Sequence, residues 1–240
     1  VAPYMRWLCR RFVTRADSVT TVGQGIAEEY AREFGIRAGV VTNASPFADL
    51  EPTPVPDDGP LRLVHAGAAL RNRHLETLVE ATVATSTEAT LDLFLVPNDP
   101  GYLAELRALA AGSDRVRLHD ALPYAELVHR LNDFDLGVHV LPPVSFNNAW
   151  ALPNKFFDFV QARLGVVVGP SPEMARLVRE HGLGAVAEDF SAKALTAVLD
   201  GLTPEEVAGW KRASHTAARQ LSADAQVEVW RDAIRALVPR

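Results

Sequence analysis

Short apolar runs alternate with amphipathic stretches along most of this 240-residue chain. Candidate strands fall at 61–66, 91–96, 115–118, 135–141 and 165–168, with 185–187 as an additional candidate, and the runs at 135–141 and 165–168 are typical of buried parallel strands. Helical spacing covers about 73–85, 100–111, 124–132, 153–163 and 172–181. This regular βα alternation predicts an α/β fold: a doubly wound, Rossmann-like parallel sheet with helices on both faces. Such sheets bind ligands beyond the carboxyl ends of their strands.

The flanks differ. Residues 4–15 read as a basic helix, 18–22 as a strand, 26–34 as a helix ended by Gly35, and 40–42 as another strand. This β-α-β piece has too few strands for an independent sheet. Four prolines within 51–60 mark a semi-rigid linker. At the other end, Thr203-Pro-Glu-Glu206 is a capping box, and Val227, Trp230, Ile234 and Leu237 form one apolar stripe. The chain divides into 1–45, a linker at 46–60, a main unit at 61–202 and C-terminal helices at 203–240.

Two stretches carry candidate chemistry. At about 100° per residue, Asn154, Lys155, Asp158 and Gln161 share one helix face and Phe156, Phe157, Val160 and Leu164 the other. An amide, a cation and a carboxylate at a helix N-terminus suit a ligand both anionic and hydroxylated; the alternative is a solvated face with an intrahelical Lys155–Asp158 pair. In the loop after the first strand of the main unit, Gly67 allows close backbone approach, and Arg71 and Arg73 fit a phosphate or pyrophosphate. The alternative there is a polar turn with solvated arginines. The loop at 142–150 adds Asn147 and Asn148, which can hydrogen-bond a sugar, and Phe146 and Trp150, which can stack on a ring. Asp133-Phe-Asp135 spells a D-x-D, but the pair lacks other metal ligands and Asp135 reads more simply as a strand-edge residue. His65 and His139 read as core histidines.

A net charge of −6 argues against a general nucleic-acid or membrane-surface role. With Cys9 alone there is no intrachain disulfide, and a reducing, cytoplasmic location is expected. No apolar run reaches the roughly 18 residues of a membrane helix, and no hydrolase elbow or zinc motif is present. The start at Val1, running straight into a helix-like segment, reads as a cut inside a larger protein, with N-terminal processing as the alternative.

From about Ala16 onward the chain resembles the C-terminal half of a GT-B glycosyltransferase of the family 4 type. The resemblance rests on the order and spacing of Ala16-Asp-Ser-Val-Thr-Thr-Val-Gly, Val40-Val-Thr-Asn43, Leu63-Val-His-Ala-Gly67, the stretch from Arg115 to Leu127, Leu152-Pro-Asn-Lys-Phe-Phe-Asp158, Gly165-Val-Val-Val and Pro172-Glu-Met174. It implies that 1–45 is the tail of an N-terminal acceptor domain and 61–202 the donor-binding domain. It further implies a nucleotide-diphosphate sugar donor, transfer with retention, no bound metal and no other cofactor. Asp158 would bind the ribose, Arg73 (or Arg71) and Lys155 the leaving diphosphate, and Gly67, Asn147, Asn148 and Asn154 the rest of the donor. The acidic partner the family places eight positions before Asp158 falls on Trp150, and Arg163 stands where glycine is common. The acceptor (polysaccharide, lipid-linked or small molecule) would be held largely by the missing N-terminal domain, so the chain alone is expected to bind donor without efficient transfer. A full-length protein could sit peripherally at a membrane. A nucleotide-sugar epimerase and a non-catalytic nucleotide- or partner-binding module are the alternatives.

Overall fold

The computed structural model describes residues 2–237. The N-terminal unit has helices α1 (Ala2–Arg11) and α2 (Gln24–Phe34) around two parallel strands, β1 (Thr20–Thr21) and β2 (Gly39–Val40). Gly35, at φ +68°, ends α2 in a left-handed cap.

The main unit contains β3 (Leu61–Ala68), α3 (Glu76–Ala84), β4 (Ala89–Val96), α4 (Pro100–Ala110), β5 (Val116–Asp120), α5 (Tyr124–Leu131), β6 (Leu136–His139), α6 (Phe146–Ala149), α7 (Asn154–Gln161), β7 (Gly165–Val168), α8 (Pro172–His181), β8 (Gly184–Val186) and α9 (Ala192–Asp200). Helices α10 (Pro204–Ala217) and α11 (Ala223–Leu237) follow. The six strands are all parallel, in the order β5-β4-β3-β6-β7-β8. The order reverses at β3: its successors step outward on one side, and β6 then pairs on the other. The two neighbouring loops diverge there and open a crevice at the carboxyl edge.

Period-two alternation divides the strands between two cores. Leu61, Leu63, Leu91, Leu93, Leu95, Val138 and Val167 face α3, α4 and α9. Val64, Ala66, Phe94, Val166 and Val168 face the other way, onto Phe156, Phe157, Phe159 and Val160 of α7 and Met174 and Leu177 of α8. Burying each α7 phenylalanine contributes about 1.5–3 kcal/mol. Gly137 has no side chain because the Phe159 ring lies against it. Together these contacts fix α7 above the β3–β6 junction.

Several sequence expectations change. The helix expected at 73–85 is a 3-10 turn, Arg71–Arg73, followed by α3; His74, at φ +50°, separates them. Helices α6 and α9 were not expected; each is started by a serine cap, Ser145 and Ser191. The proline-rich segment is held against the main unit: the Thr53 hydroxyl donates to Asn132 O (2.7 Å), and Asn132 Nδ2 donates to Glu51 O (3.0 Å). Asp135 lies at the amino end of β6, where it binds Arg62 (2.7 Å) and sits 3.5 Å from the Lys211 ammonium. It is a buried structural anion on the far edge of the sheet from the crevice.

Candidate functional site

A crevice of about 320 Å³ lies beyond the carboxyl ends of β3, β4 and β5. Its apolar part is formed by Phe94, Val96, Leu122 and Leu127; Tyr124, Asn154, Lys155 and Asp158 supply the polar part. Gly67, at φ +151°, brings the β3 backbone under the start of α7, and a Cβ there would collide with the Lys155 ammonium.

Lys155 is only half-buried as a residue, but its ammonium end points into the molecule, 3.1 Å from His65 Nε2. The Val138 carbonyl can only accept, so His65 Nδ1 carries the proton in their 2.8 Å hydrogen bond. Nε2 is thereby left to accept from Lys155. Burial pushes Lys155 down to about 7; nearby Arg73 adds to the effect, and Asp158 opposes it. Burial, reinforced by Lys155, also holds His65 and His139 well below the usual histidine range. Both His139 ring nitrogens are buried without a hydrogen-bond partner, and the ring lies 5.4 Å from that of His65. Among the described residues neither Arg73 nor Lys155 makes an ion pair with a carboxylate. Lys155 over neutral imidazoles, with the Arg73 charge nearby, makes this end of the crevice a recess suited to an anion.

Asp158 is buried at 4% exposure. Its Oδ1 accepts from the Ser45 hydroxyl (2.5 Å) and the Tyr124 hydroxyl (3.4 Å). Burial raises its pKa; the two hydroxyls and Lys155 pull the other way. The polar face of α7 is therefore mostly covered, against the alternative of a solvated face: of its four residues only Asn154 is exposed. Gln161 accepts from Ala48 N (3.0 Å) and donates to Ala218 O (2.7 Å). No Lys155–Asp158 ion pair forms among the described residues.

The other candidates separate. Arg73 is half-buried and close enough for its charge to act on Lys155, His65 and His139, but it is not among the residues that line the crevice. Arg71 turns outward, bridging to Glu105 (2.6 Å) and Asp99 (3.6 Å) with its guanidinium over the Tyr102 ring, so the structure does not bring it to the recess. Asn148 is buried and occupied locally, donating to Pro142 O (3.4 Å) and accepting from Ser145 (3.1 Å). Asn147 is exposed on α6. Trp150 packs on Gly25 at the start of α2, where a Cβ would strike its ring. Beside it, Gly25 N donates to the buried Glu173 at 2.6 Å. Trp150 thus serves the contact between the two units.

Sequence reasoning missed Ser45 and Tyr124 at Asp158. It also treated His65 and His139 only as core residues; their position in the carboxyl halves of adjacent strands was the available signal. Arg163, at φ +60°, occupies a backbone conformation that favours glycine. Its buried guanidinium donates to Ala48 O (2.5 Å), Leu50 O (3.0 Å) and Gln161 O (2.7 Å), clamping the connecting segment to the end of α7.

This architecture is that of a Rossmann-like half of the GT-B glycosyltransferase fold. The pneumococcal O-GlcNAc transferase GtfA, solved with UDP and GlcNAc, superposes with a TM-score of 0.69 over 98% of this chain and 47% of its own, at 14% identity. TarM of S. aureus, solved with fondaparinux, alpha-GlcNAc-glycerol and UDP, gives 0.69 over 97% and 46%, at 11% identity. Sucrose-phosphate synthase of Thermosynechococcus elongatus gives 0.75 over 98% and 62%, at 16% identity. The chain spans about half the length of the first two. At these identities the likeness is one of fold. No family model matches the sequence, and no curated protein matches it. No helix among the described residues is long and apolar enough to cross a membrane.

Proposed function

We propose that this chain is the donor-binding part of a retaining, family 4 type glycosyltransferase that uses a nucleotide-diphosphate sugar. The observation that carries this reading is the inward-pointing Lys155 ammonium over Gly67, without a carboxylate ion-pair partner among the described residues, in an apolar crevice that ends at Asp158. The base fits the side of Phe94, Val96 and Leu122, the ribose fits Asp158, and the diphosphate fits the recess over Gly67.

Sugar transfer develops positive charge on the sugar and negative charge on the departing diphosphate. Arg73, Lys155 and the first N–H groups of α7 would stabilise the leaving group, each charged contact by about 2–4 kcal/mol in the transition state. In this reading these groups supply the positive charge that a metal ion supplies elsewhere, and no other cofactor is used. His65 holds the Lys155 ammonium in place. The acceptor and its site belong to the remainder of a longer cytoplasmic protein, which could lie against a membrane. This chain alone then binds donor but transfers little.

A second reading, a non-catalytic nucleotide-binding module, is favoured by Trp150: the position expected to hold an acid instead packs on Gly25. Calorimetry with UDP, GDP and ADP and their sugar conjugates tests the donor site, and a donor-hydrolysis assay separates the two readings. Micromolar binding of one nucleoside diphosphate, with slow release of its sugar to water, is expected. Binding without any turnover, even when the rest of the longer protein is supplied, favours the module; failure to bind any of them removes the donor-site reading.

A further inference from the structure

The segment joining the two units enters the crevice. Ser45, 2% exposed, is fixed from both sides. Its carbonyl accepts from Ala223 N at the start of α11 (2.8 Å). Two residues on, Phe47 N donates to Asp224 (2.9 Å), and the Phe47 ring lies under Arg219 (4.2 Å) and near Arg163 (5.6 Å). Ala48 is then bound through both backbone groups, by Gln161 and Arg163. The Ser45 hydroxyl therefore has little freedom, and it is spent on Asp158 Oδ1. Tyr124 donates to the same oxygen. Among the described residues Asp158 Oδ2 receives no hydrogen bond, so it is the oxygen left for a ligand.

We infer that Ser45 is a positioning residue for Asp158: it engages one carboxylate oxygen so that the other meets the ribose hydroxyls. The connecting segment, and through it the start of α11, thereby sets how strongly the site prefers a ribonucleotide. This rests on the nucleotide-sugar reading above. A carboxylate free to rotate would share its hydrogen bonds among several orientations and lose part of its hold on a vicinal diol.

The test measures binding of UDP, GDP and ADP, and of their 2′,3′-dideoxy counterparts, to the 240-residue chain and to Ser45→Ala, Asp158→Asn and the double variant. The wild type is expected to prefer the ribonucleotide. Ser45→Ala is expected to weaken ribonucleotide binding about five- to ten-fold. The dideoxy form should stay within about two-fold, because a merely structural loss would weaken both alike. In the Asp158→Asn background, removing the Ser45 hydroxyl should change nothing further. If Ser45→Ala keeps the wild-type preference for the ribonucleotide, or weakens both forms equally, the Ser45 inference is wrong while the donor-site reading stands. If the wild type binds none of the six nucleotides, the donor-site reading fails and this inference with it.

Discussion

The Lys155 ammonium rests directly over Gly67, in space that any side chain at Gly67 would fill. A helix N-terminus and a strand end, 88 positions apart in sequence (155 − 67), are thus built around one absent methyl group. Gly67→Ala would push Lys155 off His65 and force alanine to φ +151°. The backbone strain should cost about 1–3 kcal/mol, read from the urea midpoint. Nucleoside diphosphate binding should fall far more than that stability loss explains, about 100-fold by calorimetry. Wild-type affinity in a folded Gly67→Ala would place the phosphate elsewhere.

Arg71 and Arg73 are two positions apart and are expected to behave differently. Arg71 is engaged by Glu105 and Asp99 on the outside, whereas Arg73 makes no ion pair among the described residues and its charge reaches Lys155. Arg73→Ala should weaken diphosphate binding about ten-fold or more, the value of a charge-assisted contact. Arg71→Ala should change it less than about two-fold, since exposed ion pairs contribute little. Equal losses in the two variants would mean that Arg71 swings inward when ligand binds.

Much of the sheet was legible because its central strands are short, mainly apolar runs, and burial of both faces of β6 and β7 leaves no polar alternation to confuse the pattern. The amphipathic Asn154–Gln161 stretch likewise predicted a helix with one face on the core. Burial of its other face was not legible: it depends on Ala48, Ala218 and Ser45, brought close by tertiary packing rather than by local spacing. Ser45 and Asp158 are 113 positions apart, and nothing near Ser45 marks it as a carboxylate partner. Arg71 and Arg73 were indistinguishable in sequence because a 3-10 turn, followed by left-handed His74, decides which of them pairs outward with Glu105.

Arg163 shows how a departure from a familiar pattern can be informative. Glycine would relieve the left-handed backbone at φ +60°, a gain of about 1 kcal/mol. It would also remove the guanidinium that holds Ala48 O, Leu50 O and Gln161 O, and charged-donor hydrogen bonds contribute about 1.5–3 kcal/mol each. The second effect is larger. Arg163→Gly should therefore destabilise the chain by about 2 kcal/mol or more in urea unfolding, and limited proteolysis should find faster cleavage within 46–60. A more stable Arg163→Gly would mean that the clamp contributes nothing.

Lys155 gives the site a pH dependence whose sign can be derived. Its folded pKa is about 7, against 10.5 ordinarily. Between those values the unfolded chain holds the proton that the folded, ligand-free chain has released. Stability of the free protein therefore gains a contribution that increases as pH rises from about 7 to 10.5. Lys155→Met should remove that contribution, flattening the stability profile over this window in urea titrations. Binding runs the other way. A diphosphate in the recess favours the ammonium, so binding takes up a proton above pH 7, and affinity should fall by up to about ten-fold per pH unit there. Calorimetry in buffers of different ionisation enthalpy measures that uptake directly. Lys155→Met should bind more weakly and take up no proton; proton uptake that persists in this variant would assign the titration to another group.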